Sequence, residues 1–160
     1  MNAIFECKSI FHCPVEKLFQ FHEEDIGFKT LVALDKSVEV IQAPSSISQI
    51  GTEAILNVKI LPGIQKKWIA RHIEYQKNEL FVDIQKVGPF NFFRHEHRFS
   101  SFSGYSVLND HIEFEFFLNS ISKYFVAEKL KTQFKARHKA TADYLQVSYE
   151  EISCRLLQSN

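Results

Sequence analysis

From Asn119 to about residue 149 the chain contains neither glycine nor proline, and Val126, Leu130, Phe134, Thr141 and Leu145 recur near helical spacing. Asn119 or Ser120 supplies a capping side chain, so the stretch reads as one long amphipathic helix. What precedes it reads differently. Runs at 3–12, 36–42, 50–61, 66–76, 79–88, 92–102 and 105–117 are rich in Val, Ile, Phe and Tyr, which predicts about seven strands. After the first of them, Pro14 opens a short helix that carries Val15, Leu18 and Phe19 on one face, and a second short helix falls at about 24–34. One face of such a sheet must be buried, and the long helix is the only element able to cover it. The expectation is a single α+β domain over 1–160, with a curved antiparallel sheet wrapped around a long C-terminal helix.

Composition narrows the partners. Lys plus Arg and Asp plus Glu are 19 each, so no global field gathers a phosphate backbone or an anionic membrane, and nucleic acid is not an expected partner. No basic segment followed by an apolar run opens the chain, and no run of about 18 apolar residues occurs. The reading is therefore cytoplasmic, without stable membrane insertion. Cys7, Cys13 and Cys154 lack CxxC spacing and are expected as reduced thiols in core positions. Sixteen Phe against one Trp and one Met point to stiff aromatic walls around something large and apolar. Oligomeric state has no signature here.

The parity of the strands places chemistry on one face. In 92–102, Arg94, Glu96, Arg98 and Ser100 alternate with Phe93, His95, His97 and Phe99, so the second set is expected to face the helix. By the same rule Asp110, Ile112, Phe114 and Phe116 face inward in 105–117, and Trp68, Ala70 and His72 in 66–76. Phe81, Asp83, Gln85 and Val87 are placed inward in 79–88. Two-residue loops at Lys77-Asn78 and Ser103-Gly104, with a three-residue loop at 89–91, would set His72 opposite Asp83, Asp83 opposite His97, and His97 opposite Asp110. Opposed side chains have Cβ atoms about 4.5–5.5 Å apart, which suits His–carboxylate pairs. A second row holds Ala70, Gln85, His95 and Ile112, and a third Trp68, Val87, Phe93 and Phe114.

The segments 5–22 (Phe5 to Phe11, Pro14, Leu18, Phe19 and His22), 81–90 (Phe81, Asp83, Gln85, Gly88, Pro89, Phe90) and 95–99 (His95, His97, Phe99) resemble the SRPBCC superfamily. So do Phe125, Val126, Leu130, Phe134, Arg137 and His138 near the C-terminus, and the likeness spans nearly the whole chain. That superfamily includes START and birch-pollen-allergen-like domains. The resemblance implies a helix-grip fold with an internal cavity for lipids, polyketides or other apolar molecules, and a few members are cyclases or dehydratases. Phe93 stands where the subgroup usually has Trp, and Phe117 where a Pro often ends the last strand.

The expected activity is therefore binding of a hydrophobic small molecule between sheet and helix. The expected lining is Trp68, His72, Asp83, Gln85, Phe93, His95, His97, Phe99, Asp110, Ile112 and Phe114 from the sheet, with Leu130 and Phe134 as the roof. The polar row fits three roles: a network that pins strand register, an anchor that orients the ligand, or an acid–base site with His97 held between Asp83 and Asp110. The alternative function is accordingly a small cyclase, dehydratase or hydrolase. Neither a cofactor nor a metal is expected, because HxH on a strand is a short pattern and the aspartates suit hydrogen bonding equally well. Lys129, Lys131, Lys135, Arg137, His138 and Lys139 read as the solvated face of the helix.

Overall fold

A computed structural model describes residues 2–157. Eight strands form one antiparallel sheet in the order β2-β3-β4-β5-β6-β7-β1-β8. They are β1 (Ala3–Phe11), β2 (Val38–Gln42), β3 (Glu53–Leu61), β4 (Ile64–Gln76), β5 (Leu80–Val87), β6 (Phe92–Phe102), β7 (Tyr105–Glu115) and β8 (Tyr149–Leu156). Two short helices, α1 (Val15–Glu23) and α2 (Asp25–Val32), follow β1, and the long helix α3 (Asn119–Leu145) precedes β8. The sheet wrapped around a long helix expected from the residues, and the helix-grip fold that the resemblance implies, are the ones observed.

The end of the chain differs from its expectation. Gln146 takes a left-handed backbone (φ 54°) and closes α3 short of residue 149, after which residues 149–156 pair with β1. Beyond that turn the open edge of β1 offers the segment a ladder of backbone hydrogen bonds, and the chain takes it in place of prolonging the helix. This eighth strand corrects the count of about seven. It also places Cys154 opposite Cys7, and the two form a disulfide, which corrects the expectation of three reduced thiols. Cys13 alone is free, and it is buried.

The inner face follows strand parity. Phe93, His95 and Phe99 of β6 are buried, as are Leu108, Asp110, Ile112 and Phe114 of β7. Arg94 and Arg98 lie on the opposite face and pair with Glu96. Burial gathers into two clusters. One holds Phe11, Leu18, Phe19, Phe21, Phe81, Phe99, Leu108 and Leu145, where α1 closes one end of the grip. The other holds Phe5, Phe93, Ile112, Phe114, Val126, Leu130 and Phe134, with Trp68, Phe90 and Phe116 packed against it. Full burial of an aliphatic or aromatic side chain of this kind stabilises by roughly 1.5–3 kcal/mol, so the two clusters hold the sheet on the helix. At the joint between α1 and α2, a Cβ on Gly27 would stand 1.8 Å from the Phe21 carbonyl oxygen, so only glycine lets the two helices meet.

Candidate functional site

Three loops set the registers, and each behaves differently. Ser103 and Gly104 both adopt positive φ (49° and 81°), the backbone of a two-residue hairpin turn, and they deliver His97 opposite Asp110 and His95 opposite Ile112 as expected. The β4–β5 loop has three residues rather than two, with Asn78 at φ 65°. An irregularity between His72 and Glu74 absorbs the extra residue and restores His72 opposite Asp83. A second one between Ile69 and Ala70 places Val87 opposite Ile69 instead of Trp68. Between β5 and β6 the pairing is displaced by two residues, so Asp83 faces His95, and Phe81 faces His97. A shift of two leaves each side chain on its own face, and the polar groups therefore stay together.

The resulting network centres on Asp110, 3% exposed. His95 Nε2 donates to its Oδ1 at 2.8 Å, and His138 Nε2 donates to its Oδ2 at 2.7 Å. The other ring nitrogen of His138, Nδ1, lies 2.8 Å from the Ser9 hydroxyl, which ties α3 to β1. His97 Nδ1 is 2.9 Å from Asp110 Oδ1 but off the line of a hydrogen bond, which leaves it a buried nitrogen without one. On the far side, Asp83 Oδ2 lies 3.4 Å from His97 Nε2 and 3.7 Å from His95 Nδ1. The rings of His95 and His97 are 3.7 Å apart. Phe81 stacks on His97 at 4.0 Å and Phe134 meets His95 edge-on at 5.2 Å, so one residue from each apolar cluster bounds the polar band.

Electrostatics separates these groups. Burial raises the Asp110 carboxyl, but hydrogen bonds from His138 and His95, with the charge of His97 beside it, overcome it and hold the group well below the usual carboxylate range. Asp83 is likewise lowered, because the neighbouring histidines outweigh burial. For His95 burial prevails, with the charge of His97 beside it, and its pKa is lowered. For His97 burial also acts downward, yet Asp110 and Asp83 reverse it and the pKa is raised. Burial lowers His72 and carries His22 down to about 4.

These shifts predict a pH dependence. A histidine whose folded pKa is depressed contributes stability that is present above its unfolded value and lost as pH falls through the folded value. For His22 that window runs from 6.5 to about 4 and is worth about 3 kcal/mol. His72 and His95 act in the same direction, while His97 opposes them with a contribution present below 6.5 and lost as pH rises through its raised value. Urea unfolding is expected to show stability falling from pH 6.5 toward pH 4, with His22→Leu flattening the slope; an unchanged slope would contradict the assignment.

The structure distributes the remaining expected residues as follows. Gln85 stays on the inner side, but its amide is spent on the β5–β6 loop, donating from Nε2 to the Phe90 carbonyl at 2.8 Å while Oε1 accepts the Phe90 N–H at 3.2 Å. Gly88 makes this clasp possible, since a Cβ there would lie 2.1 Å from Gln85 Oε1. His72 is buried but turns Nδ1 toward the Thr52 hydroxyl at 3.5 Å. Trp68 packs edge-on against Phe93 at 5.0 Å and Phe90 at 5.5 Å. Phe99 belongs to the other cluster, 4.9 Å from Phe19. An open groove of about 630 Å³ lies at the hairpin ends of β4–β5 and β6, and of the expected lining only Phe99 borders it.

His138 is the residue that sequence reasoning misplaced. It is 2% exposed, not on the solvated face, because Asp110 and Ser9 satisfy both of its nitrogens inside. Its signal was present: Val126, Leu130, Phe134 and His138 follow one another at intervals of four. Arg137 is half-buried and lies over the Phe134 ring at 5.0 Å, whereas Lys129, Lys135 and Lys139 are exposed as expected.

No family model and no curated protein matches the sequence. The helix-grip fold just described, that of the SRPBCC and birch-pollen-allergen-like proteins, is shared with many solved structures. Ara h 8.0201 is similar at a TM-score of 0.67 and 16% identity, covering 91% of this chain and 99% of that one. The Zhui aromatase/cyclase of Streptomyces sp. R1128 is similar at 0.69 and 11%, covering 91% and 94%. The norcoclaurine synthase of Thalictrum flavum is similar at 0.64 and 14%, covering 91% and 87%. Among the described residues no helix is long and apolar enough to cross a membrane.

Proposed function

We propose that this chain binds an apolar small molecule, lipid-like, aromatic or polyketide-like, against the inner face of β4–β7 beneath α3. The observation that carries the reading is the uneven burial of the polar band. Asp110 and His138 are closed off at 4% and 2% side-chain exposure, while Asp83 and His97 each keep 15%. These two partly exposed side chains stand between Phe93, with Trp68 against it, on one side and Phe81 on the other, the mixture of apolar wall and few polar groups that orients a small ligand. An aromatase/cyclase and a norcoclaurine synthase with this fold support the same class of ligand. Native mass spectrometry of gently purified protein is expected to show a bound apolar molecule, and Leu130→Trp to reduce its occupancy at least tenfold without loss of folding. Protein that carries no such mass and binds no apolar probe would refute the reading.

A second reading, a small cyclase-, dehydratase- or hydrolase-type enzyme, is favoured by His97 itself. Its raised pKa and its position between two carboxylates suit proton transfer near neutrality. It requires that His97→Ala abolish turnover while leaving ligand binding intact.

A further inference from the structure

We propose that Asp83, His95 and His97 form a binding site for a divalent cation of the zinc type, with Asp110 and His138 as its support. One ligand atom from each of the three residues lies within 4.8 Å of the other two. The two distances from Asp83 are close to those a metal needs. Nitrogen and oxygen ligands held about 2.0–2.1 Å from a tetrahedral ion stand roughly 3.4 Å from one another, and Asp83 Oδ2 is 3.4 Å from His97 Nε2 and 3.7 Å from His95 Nδ1. Those spacings are long for hydrogen bonds, so the three groups face one another without consuming one another.

The tautomers agree with this. His95 gives its Nε2–H to Asp110, which leaves Nδ1 as the lone-pair nitrogen turned toward Asp83. His97 likewise turns Nδ1 to the Asp110 side and Nε2 to Asp83. A carboxylate behind metal-binding imidazoles fixes their orientation and strengthens them as ligands. Asp110 is held in that place by His138, itself anchored on Ser9. Two buried carboxylates with neutral imidazoles carry a formal charge of −2, of which Arg137 on α3 balances one unit at a distance. A divalent ion at Asp83 offsets the local charge of the two carboxylates. The 15% exposure of Asp83 and His97 leaves a path for the ion and an open position for water or for a polar end of a bound molecule.

The 160-residue chain, stripped with a chelator and titrated with Co²⁺ at pH 7.5, is expected to take up one equivalent, with a visible absorption band from a nitrogen- and oxygen-ligated ion that Zn²⁺ displaces. Asp83→Asn, an almost isosteric change at a partly exposed position, should weaken binding at least tenfold, as should His97→Ala. Asp110→Asn should weaken it about 10–100-fold through the His95 imidazole it orients. His111→Ala, on the outer face against Glu6, should change nothing. Absence of stoichiometric Co²⁺ uptake, or an affinity that Asp83→Asn leaves unaltered while circular dichroism shows a folded protein, would overturn the proposal. Apolar-probe binding measured on the metal-free chain separates this outcome from failure of the ligand-binding reading.

Discussion

Asp110→Ala is expected to destabilise the protein by about 3–5 kcal/mol at pH 7, measured by denaturant unfolding. Asp110 is the one group that satisfies His95 and His138 together, and its removal strands buried N–H donors that water cannot reach. It also releases α3 from β7, since His138 is the polar link between the helix and the middle of the sheet. A cost below about 1 kcal/mol would mean that the histidines find Asp83 instead, and that the band is more plastic than its geometry states.

Loss of the Cys7–Cys154 bond should cost a similar amount. The bridge joins residues 147 apart, and closing so long a loop removes about 5 kcal/mol of chain entropy from the unfolded state. The double variant Cys7→Ser/Cys154→Ser, or the wild type under reductant, is expected to unfold at a correspondingly lower denaturant concentration. An unchanged midpoint would show the pair to be idle. The oxidation state of these cysteines in protein taken directly from cells also tests the cytoplasmic expectation, because a reducing compartment keeps such pairs open.

Period-two alternation made the inner face readable. Arg94, Glu96 and Arg98 cannot share a face with Phe93 and Phe99 under a helix, so His95 and His97 had to turn inward. The β6–β7 register was equally legible, since Ser103-Gly104 admits a tight turn of one length. The β5–β6 register was not. Its loop is closed by Gln85 gripping the Phe90 backbone, a contact that loop length alone does not encode. His138 was hidden for a different reason: a histidine amid lysines reads as solvated until a buried carboxylate stands opposite it, and that partner comes from another element. Likewise β8 forms because β1 has an open edge, a property of the assembled sheet and not of residues 149–156.

The pairing of β1 with β8 has one more effect. The Leu157 amide donates to the Ile4 carbonyl at 2.8 Å, so the two ends of the described chain emerge side by side from one corner. A short peptide joining them would circularise the domain without disturbing a strand, and new ends could then be cut at Gly63, where the exposed hairpin tip between β3 and β4 carries no residue of the polar band.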